Sequence, residues 1–212
     1  MTDNQKDPRN NFTPRRLPWL LAAILLVIYL FTLNHWVSTL NLPLIARTCG
    51  WIWQPELSNP LVYLIILPFH ALPAAAVPLA LNIASALCGA LVLCLLARTV
   101  ALLPQDRTEA QRKREGNVFA FLTNKSSWLP PVLAVAVCGL QFTFWEHATN
   151  FTGESFELLW FAIVLWQLLE YRLDEKEWRL YFSAFLYGAG VDRKSTRLNS
   201  SHESVSRMPS SA

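Results

Sequence analysis

An all-α, polytopic membrane protein is the fold class this sequence predicts, on three observations. Charged residues make up only 16% of the chain against 53% hydrophobic residues, whereas soluble domains carry about a quarter charged. Apolar runs such as Leu17 to Leu33 and Val77 to Leu103 are of membrane-spanning length. The basic residues stand in patches between those runs, so the net charge of +3 reports orientation in a membrane, and no nucleic-acid partner is expected. The four cysteines, Cys49, Cys88, Cys94 and Cys138, form neither a CxxC pair nor a metal-ligand spacing. No disulfide framework or zinc site is expected from them.

Residues 1–16 form a polar, basic N-terminus with Lys6, Arg9, Arg15 and Arg16. Residues 17–191 read as one multi-pass membrane domain. Its first span, Leu17 to Leu33, is uncharged and is too long for the apolar region of a signal peptide; the basic patch before it places the N-terminus in the cytoplasm. The run from Pro60 to Leu72 holds Pro68 and His70 and is thirteen residues long. As a helix it would cover about 20 Å of a hydrocarbon core about 30 Å thick. Loop charge decides its place. The segment from Pro104 to Trp128 carries Arg107, Arg112, Lys113, Arg114 and Lys125 and reads as cytoplasmic, which requires two crossings before it. Leu17–Leu33 and Val77–Leu103 supply both, so Pro60–Leu72 is expected to be interfacial or re-entrant. Leu129–Trp145 then crosses outward and Phe156–Tyr171 returns. A further span begins near residue 180 and runs to Val191.

The stretch from Asp192 to Ala212 is serine-rich and lacks aromatics. Its two ends, "DRKSTRLNSSH" and "SRMPSSA", match a conceptual translation of a common short-read sequencing adapter, with "ESV" where a sample index would lie. Residues 192–212 are accordingly read as an adapter artefact and set aside from the fold, and the rest as an N-terminal fragment.

Three stretches carry a family resemblance: "SNPLVYLIILPFHALP" (Ser58–Pro73), "LNIASALCGALVLCLLAR" (Leu81–Arg98) and "FTFWEHATNFTGESFELLWF" (Phe142–Phe161). In that order and spacing the chain resembles the bacterial membrane family catalogued as domain of unknown function twenty-seven twenty-three. That family is grouped with GT-C glycosyltransferases, including an animal protein O-mannosyltransferase. The resemblance implies a GT-C-like N-terminal portion in a bacterial inner membrane, with its active site on the outer face. There a sugar would pass from a polyprenyl-phosphate donor to an acceptor, and an acid in the first external loop would serve as base. Members show "DSGE" after the first span. Here Ser38 and Asn41 stand at the positions of its acids, and Glu56 is the remaining acid of that loop.

The second external loop offers others. Glu154 and Glu157 are three residues apart at the outer start of a helix, where a carboxylate could deprotonate an acceptor hydroxyl or hold a divalent cation beside the donor phosphate. The plainer explanation is complementarity to the helix dipole. His147 is a candidate donor-phosphate ligand or simply a wet helix end. Arg47 suits a lipid phosphate, or snorkels to headgroups. Trp36, Trp51 and Trp53 read as an interfacial belt, and Asn82 with the Ser85-to-Gly89 spacing as helix packing. Two other function classes stay open. A lipid or glycan carrier of flippase type would show inverted repeats and broken helices; a non-catalytic membrane subunit would need no acid at all.

Overall fold

The computed structural model of the protein describes residues 15–51, 62, 65–103 and 128–190. Among the described residues it is all-helical, without a strand. In chain order come α1 (Leu17–Phe31), α2 (Leu42–Thr48), a 3-10 turn (Leu67–Ala71), α3 (Val77–Leu102), α4 (Leu129–Gly139), α5 (Phe142–Thr149) and α6 (Glu154–Asp174). Residues 177–190 are helical as well. Each of α1 to α4 opens with a proline in its first turn, where the missing N–H costs nothing and the fixed φ suits the helix.

The central helix is α3, against which α1, α4, α5 and α6 all pack. It runs antiparallel to α1 and parallel to α6. Asn34, just beyond α1, meets Asn82 near the start of α3, whereas Arg98 near its end meets Glu170 near the end of α6. One apolar cluster fills the middle with Leu25, Tyr29, Leu33, Ala86, Leu93, Ala97, Val135 and Ala148. A second, of Ile45, Val62, Ile66, Val77, Leu81 and Phe151, lies at the end where α3 and α6 begin.

By length and composition α3 is able to cross a membrane, and α4 with α5 makes a second candidate if that bent pair is one span. Five spans are expected from the sequence. Among the described residues fewer helices pass by length and composition, for physical reasons. Helix α1 has only 15 residues, short of the roughly 20 needed to cross untilted, and α6 carries charges at both ends and the buried Glu170. The run from Leu129 to Trp145, expected to be one helix, is two helices bent by 70°. Extended backbone at Gln141 (φ −63°, ψ 132°) separates them. Gly139 ends α4 under close packing: a Cβ there would lie 2.7 Å from a Leu25 methyl and 2.9 Å from a Leu93 methyl. The Tyr29 hydroxyl donates to the Gly139 carbonyl at 2.7 Å, which satisfies one of the groups that a helix end leaves open.

At the opposite end from the second cluster, Glu170 accepts from Arg98 Nη2 at 3.0 Å, from Arg179 Nη1 at 3.1 Å and from the Trp166 indole at 3.2 Å. Arg179 also pairs with Asp174 at 3.2 Å, and the Arg98 guanidinium lies over the Trp166 ring. A buried carboxylate needs such company, because an unpaired charge in an apolar setting is strongly unfavourable. This network joins α3, α6 and the helix over residues 177–190.

Candidate functional site

Helix α5 stops early. Its last helical bond runs from the Asn150 N–H to the Glu146 carbonyl at 3.0 Å. The next bond in the series would pair the Phe151 N–H with the His147 carbonyl, but both groups are taken by side chains of α3. Asn82 Oδ1 accepts from the Phe151 N–H at 2.9 Å, and the Ser85 hydroxyl donates to the His147 carbonyl at 2.7 Å. The Phe151 side chain drops into the second apolar cluster. Gly153 follows with φ +86°, and a Cβ there would meet Val62 and Leu44 only at ordinary contact distance. Glycine is therefore required by the backbone conformation and not by space. The chain turns back at that point, and α6 begins with Glu154 beside the end of α5.

The turn brings two of the expected site residues together. His147 Nε2 lies 3.2 Å from Glu154 Oε2. The other ring nitrogen, Nδ1, lies 3.0 Å from Thr152 Oγ1. An ionised carboxylate can only accept, so Nε2 carries the proton in this pair. The Glu154 side chain is 64% exposed and that of His147 30%, which leaves the carboxylate open to a solvent-side molecule while the imidazole is held at both ring nitrogens. A phosphate would have to displace Glu154 or Thr152 to bind His147. Glu157, half-buried one turn into α6, has its N–H on the Gly153 carbonyl at 3.1 Å. Arg47 lies in the last turn of α2, three residues beyond the Leu44 that faces Gly153. Glu56 lies outside the described residues, as does Trp53. Trp36 and Trp51 are both exposed. Among the described residues no three His, Cys, Asp or Glu side chains gather to hold a metal ion; His147 and Glu154 alone would offer a cation two ligands.

Asn41 and Asn82 are both fully buried, at 0% exposure. Asn82 Oδ1 must face the Phe151 N–H, and its Nδ2 must face the Asn34 carbonyl, 2.7 Å away. That orientation turns Oδ1 toward Asn41, whose Nδ2 donates to it at 3.3 Å. Asn41 Oδ1 in turn accepts from the Ser38 N–H at 2.7 Å. Position 41 thus requires a donor as well as an acceptor, which an ionised carboxylate cannot supply. The acid expected there by resemblance is replaced by an amide that holds the loop together. Asn150 completes the link by accepting from Asn34 Nδ2 at 2.8 Å and donating to the Glu146 carbonyl.

The sequence reading assigned Asn82 and the Ser85-to-Gly89 spacing to helix packing, and Gly89 does lie against Ala148 of α5; it did not foresee that Asn82 and Ser85 bond the backbone beside His147. The only signal in the sequence was polarity: two polar side chains one turn apart in an otherwise apolar helix need partners.

Residues 58–198 match the family model described as the protein O-mannosyl-transferase TMEM260 N-terminal domain. No curated protein and no solved structure matches the chain.

Proposed function

The chain belongs to the protein O-mannosyl-transferase TMEM260 N-terminal domain family, and from that premise we propose that it is a multi-pass membrane glycosyltransferase-like protein, acting on a polyprenyl-phosphate sugar at the outer face of a bacterial inner membrane. The N-terminus is cytoplasmic in this reading. Helices α1, α3, the bent α4–α5 pair and α6 cross in turn, with the α5–α6 turn on the outer side. Family kinship supports glycosyl transfer in general; the donor, the membrane face and the acting residues are inferred beyond it.

The single observation supporting the residue assignment is the contact between His147 and Glu154. His147 Nε2–H occupies one carboxylate oxygen, and the other takes the proton of an acceptor hydroxyl as its oxygen attacks the sugar's anomeric carbon. The bond from that carbon to the phosphate oxygen breaks, and polyprenyl phosphate leaves with the electron pair. Arg47, on the helix beside Gly153, supplies a cation suited to that phosphate. Glu157 stands one turn behind Glu154, and Glu56 is the secondary candidate in the first loop.

Membranes expressing the chain are to be supplied with a radiolabelled polyprenyl-phosphate sugar and an acceptor, and loss of the donor followed. Glu154→Gln keeps the shape and removes the base, so transfer falls about 10²-fold or more while the protein still accumulates; Glu56→Gln does less. Full activity of Glu154→Gln would remove this residue from the chemistry. A lipid or glycan carrier is the second reading, favoured by the 70° break between α4 and α5, since carriers build their sites from interrupted helices. Movement of the intact donor across sealed vesicles without cleavage would decide for it.

A further inference from the structure

We infer that Asn82 and Ser85 of α3 are positioning residues that set the His147–Glu154 contact by ending α5 at a fixed point. The inference deepens the proposed transfer reaction and rests on that reading for its kinetic part.

Helix α5 leaves one hydrogen bond of its series unmade. Were it one residue longer, the Phe151 N–H would donate to the His147 carbonyl and the chain would continue away from the turn. Asn82 and Ser85 take those two groups separately, at 2.9 and 2.7 Å. Both are almost wholly buried, so water does not offer itself as a substitute for either. The grip extends to α6. Ser155, the residue after Glu154, also points its hydroxyl at the His147 carbonyl, at 2.7 Å, and lies 3.2 Å from the Ser85 hydroxyl. A carbonyl oxygen has two lone pairs and accepts both protons. One backbone oxygen of His147 is therefore the point where α3, α5 and the first turn of α6 are pinned together.

His147 and Glu154 are seven residues apart across a non-helical turn, and neither helix fixes the other's direction. Their approach within 3.2 Å is set by the pin. Asn82 adds the first loop to it through Asn41 Nδ2 and the Asn34 carbonyl. The hydrogen bonds that Asn82 and Ser85 make to this region reach backbone groups of residues 147–151, so each acts through that backbone. Displacement of a reacting group by about 1 Å can cost about 10²-fold in rate.

The test uses the full chain in detergent with 15N-labelled histidine, the His147 signal being assigned with His147→Gln among the four histidines. In the wild type the Nε2 proton is bonded to a carboxylate and carries the corresponding downfield signature, which Glu154→Gln removes. Ser85→Ala is expected to lose that signature with helical content unchanged, and Ser85→Thr, which keeps a hydroxyl, to retain it. Asn82→Asp keeps the acceptor for the Phe151 N–H but loses the donor to Asn34, and is expected to weaken the signature. In the transfer assay Ser85→Ala lowers kcat about 10-fold or more with KM nearly unchanged, and Ser85→Thr restores it. A wild-type signature in Ser85→Ala would overturn the inference, as would equal loss in Ser85→Ala and Ser85→Thr. If the wild type shows no turnover, the proposed reaction fails, while the nitrogen signal still decides whether Ser85 sets the contact.

Discussion

Gly89 lies where α3 crosses α5, and a Cβ placed on it would stand 3.0 Å from the Cβ of Ala148. A methyl fixed by its own backbone cannot rotate aside, so Gly89→Ala must push the two helices apart. Overpacking of this kind costs about 1–3 kcal/mol, and thermal unfolding should show a corresponding loss of stability. Because Ala148 follows His147, donor consumption should fall as well. Gly188 is the control, since a Cβ added there would meet nothing within 4 Å and the residue sits inside the helix over residues 177–190. Gly188→Ala should be neutral or stabilising by about 0.5–1 kcal/mol, as expected for glycine removed from a helix interior. His147 and Glu154 were legible as candidate residues in the sequence. That they meet was not, because seven residues with a helix end between them have no fixed geometry until the ends are pinned.

The break between α4 and α5 sets the direction of α5, the helix that carries His147. Tyr29 supports it from α1, with its hydroxyl on the Gly139 carbonyl and its ring against Trp145 and Phe144. A second tie runs from the Trp145 indole to the Thr32 hydroxyl at 3.0 Å. Tyr29→Phe keeps the ring contacts and leaves a buried carbonyl without its donor, at a cost of about 1–3 kcal/mol. Thermal unfolding in detergent should show that loss, and the same membranes should show reduced transfer if α5 shifts. No change in either measurement would mean that water or a backbone adjustment satisfies Gly139. The break was hidden in the sequence because Leu129 to Trp145 is apolar nearly throughout, and hydropathy alone does not distinguish a straight helix from a bent pair of the same composition.

At the scale of the molecule, the two ends of the helical bundle differ in chemistry. One gathers the amide network, His147 and Glu154; the other gathers Arg98, Arg179, Glu170 and Asp174. In the proposed orientation the first is outer and the second cytoplasmic, in line with the positive-inside rule. Single cysteines at Thr39 and at Glu175, both exposed, can be placed in a chain whose four native cysteines have been replaced. An impermeant thiol reagent on intact cells should label Thr39→Cys and spare Glu175→Cys until the membrane is opened. The reverse pattern would invert the orientation, and labelling of both would break the alternation of crossings from α3 to α6.

The amino-acid sequence by itself determined the helical class, the apolar character of α3 and the kinship with O-mannosyl-transferase-related proteins, because these follow from composition, local periodicity and ordered motifs. It also marked Glu154 and His147 by residue type. The tertiary structure alone decided that the Asn41 amide bonds Ser38 and Asn82, that Asn82 and Ser85 grip the end of α5, and that Ala148 is the residue Gly89 packs against. The amide and hydroxyl contacts depend on partners 41 to 69 residues away, and which donor meets which acceptor across such separations is fixed only when the helices have packed and every buried polar group has found its complement.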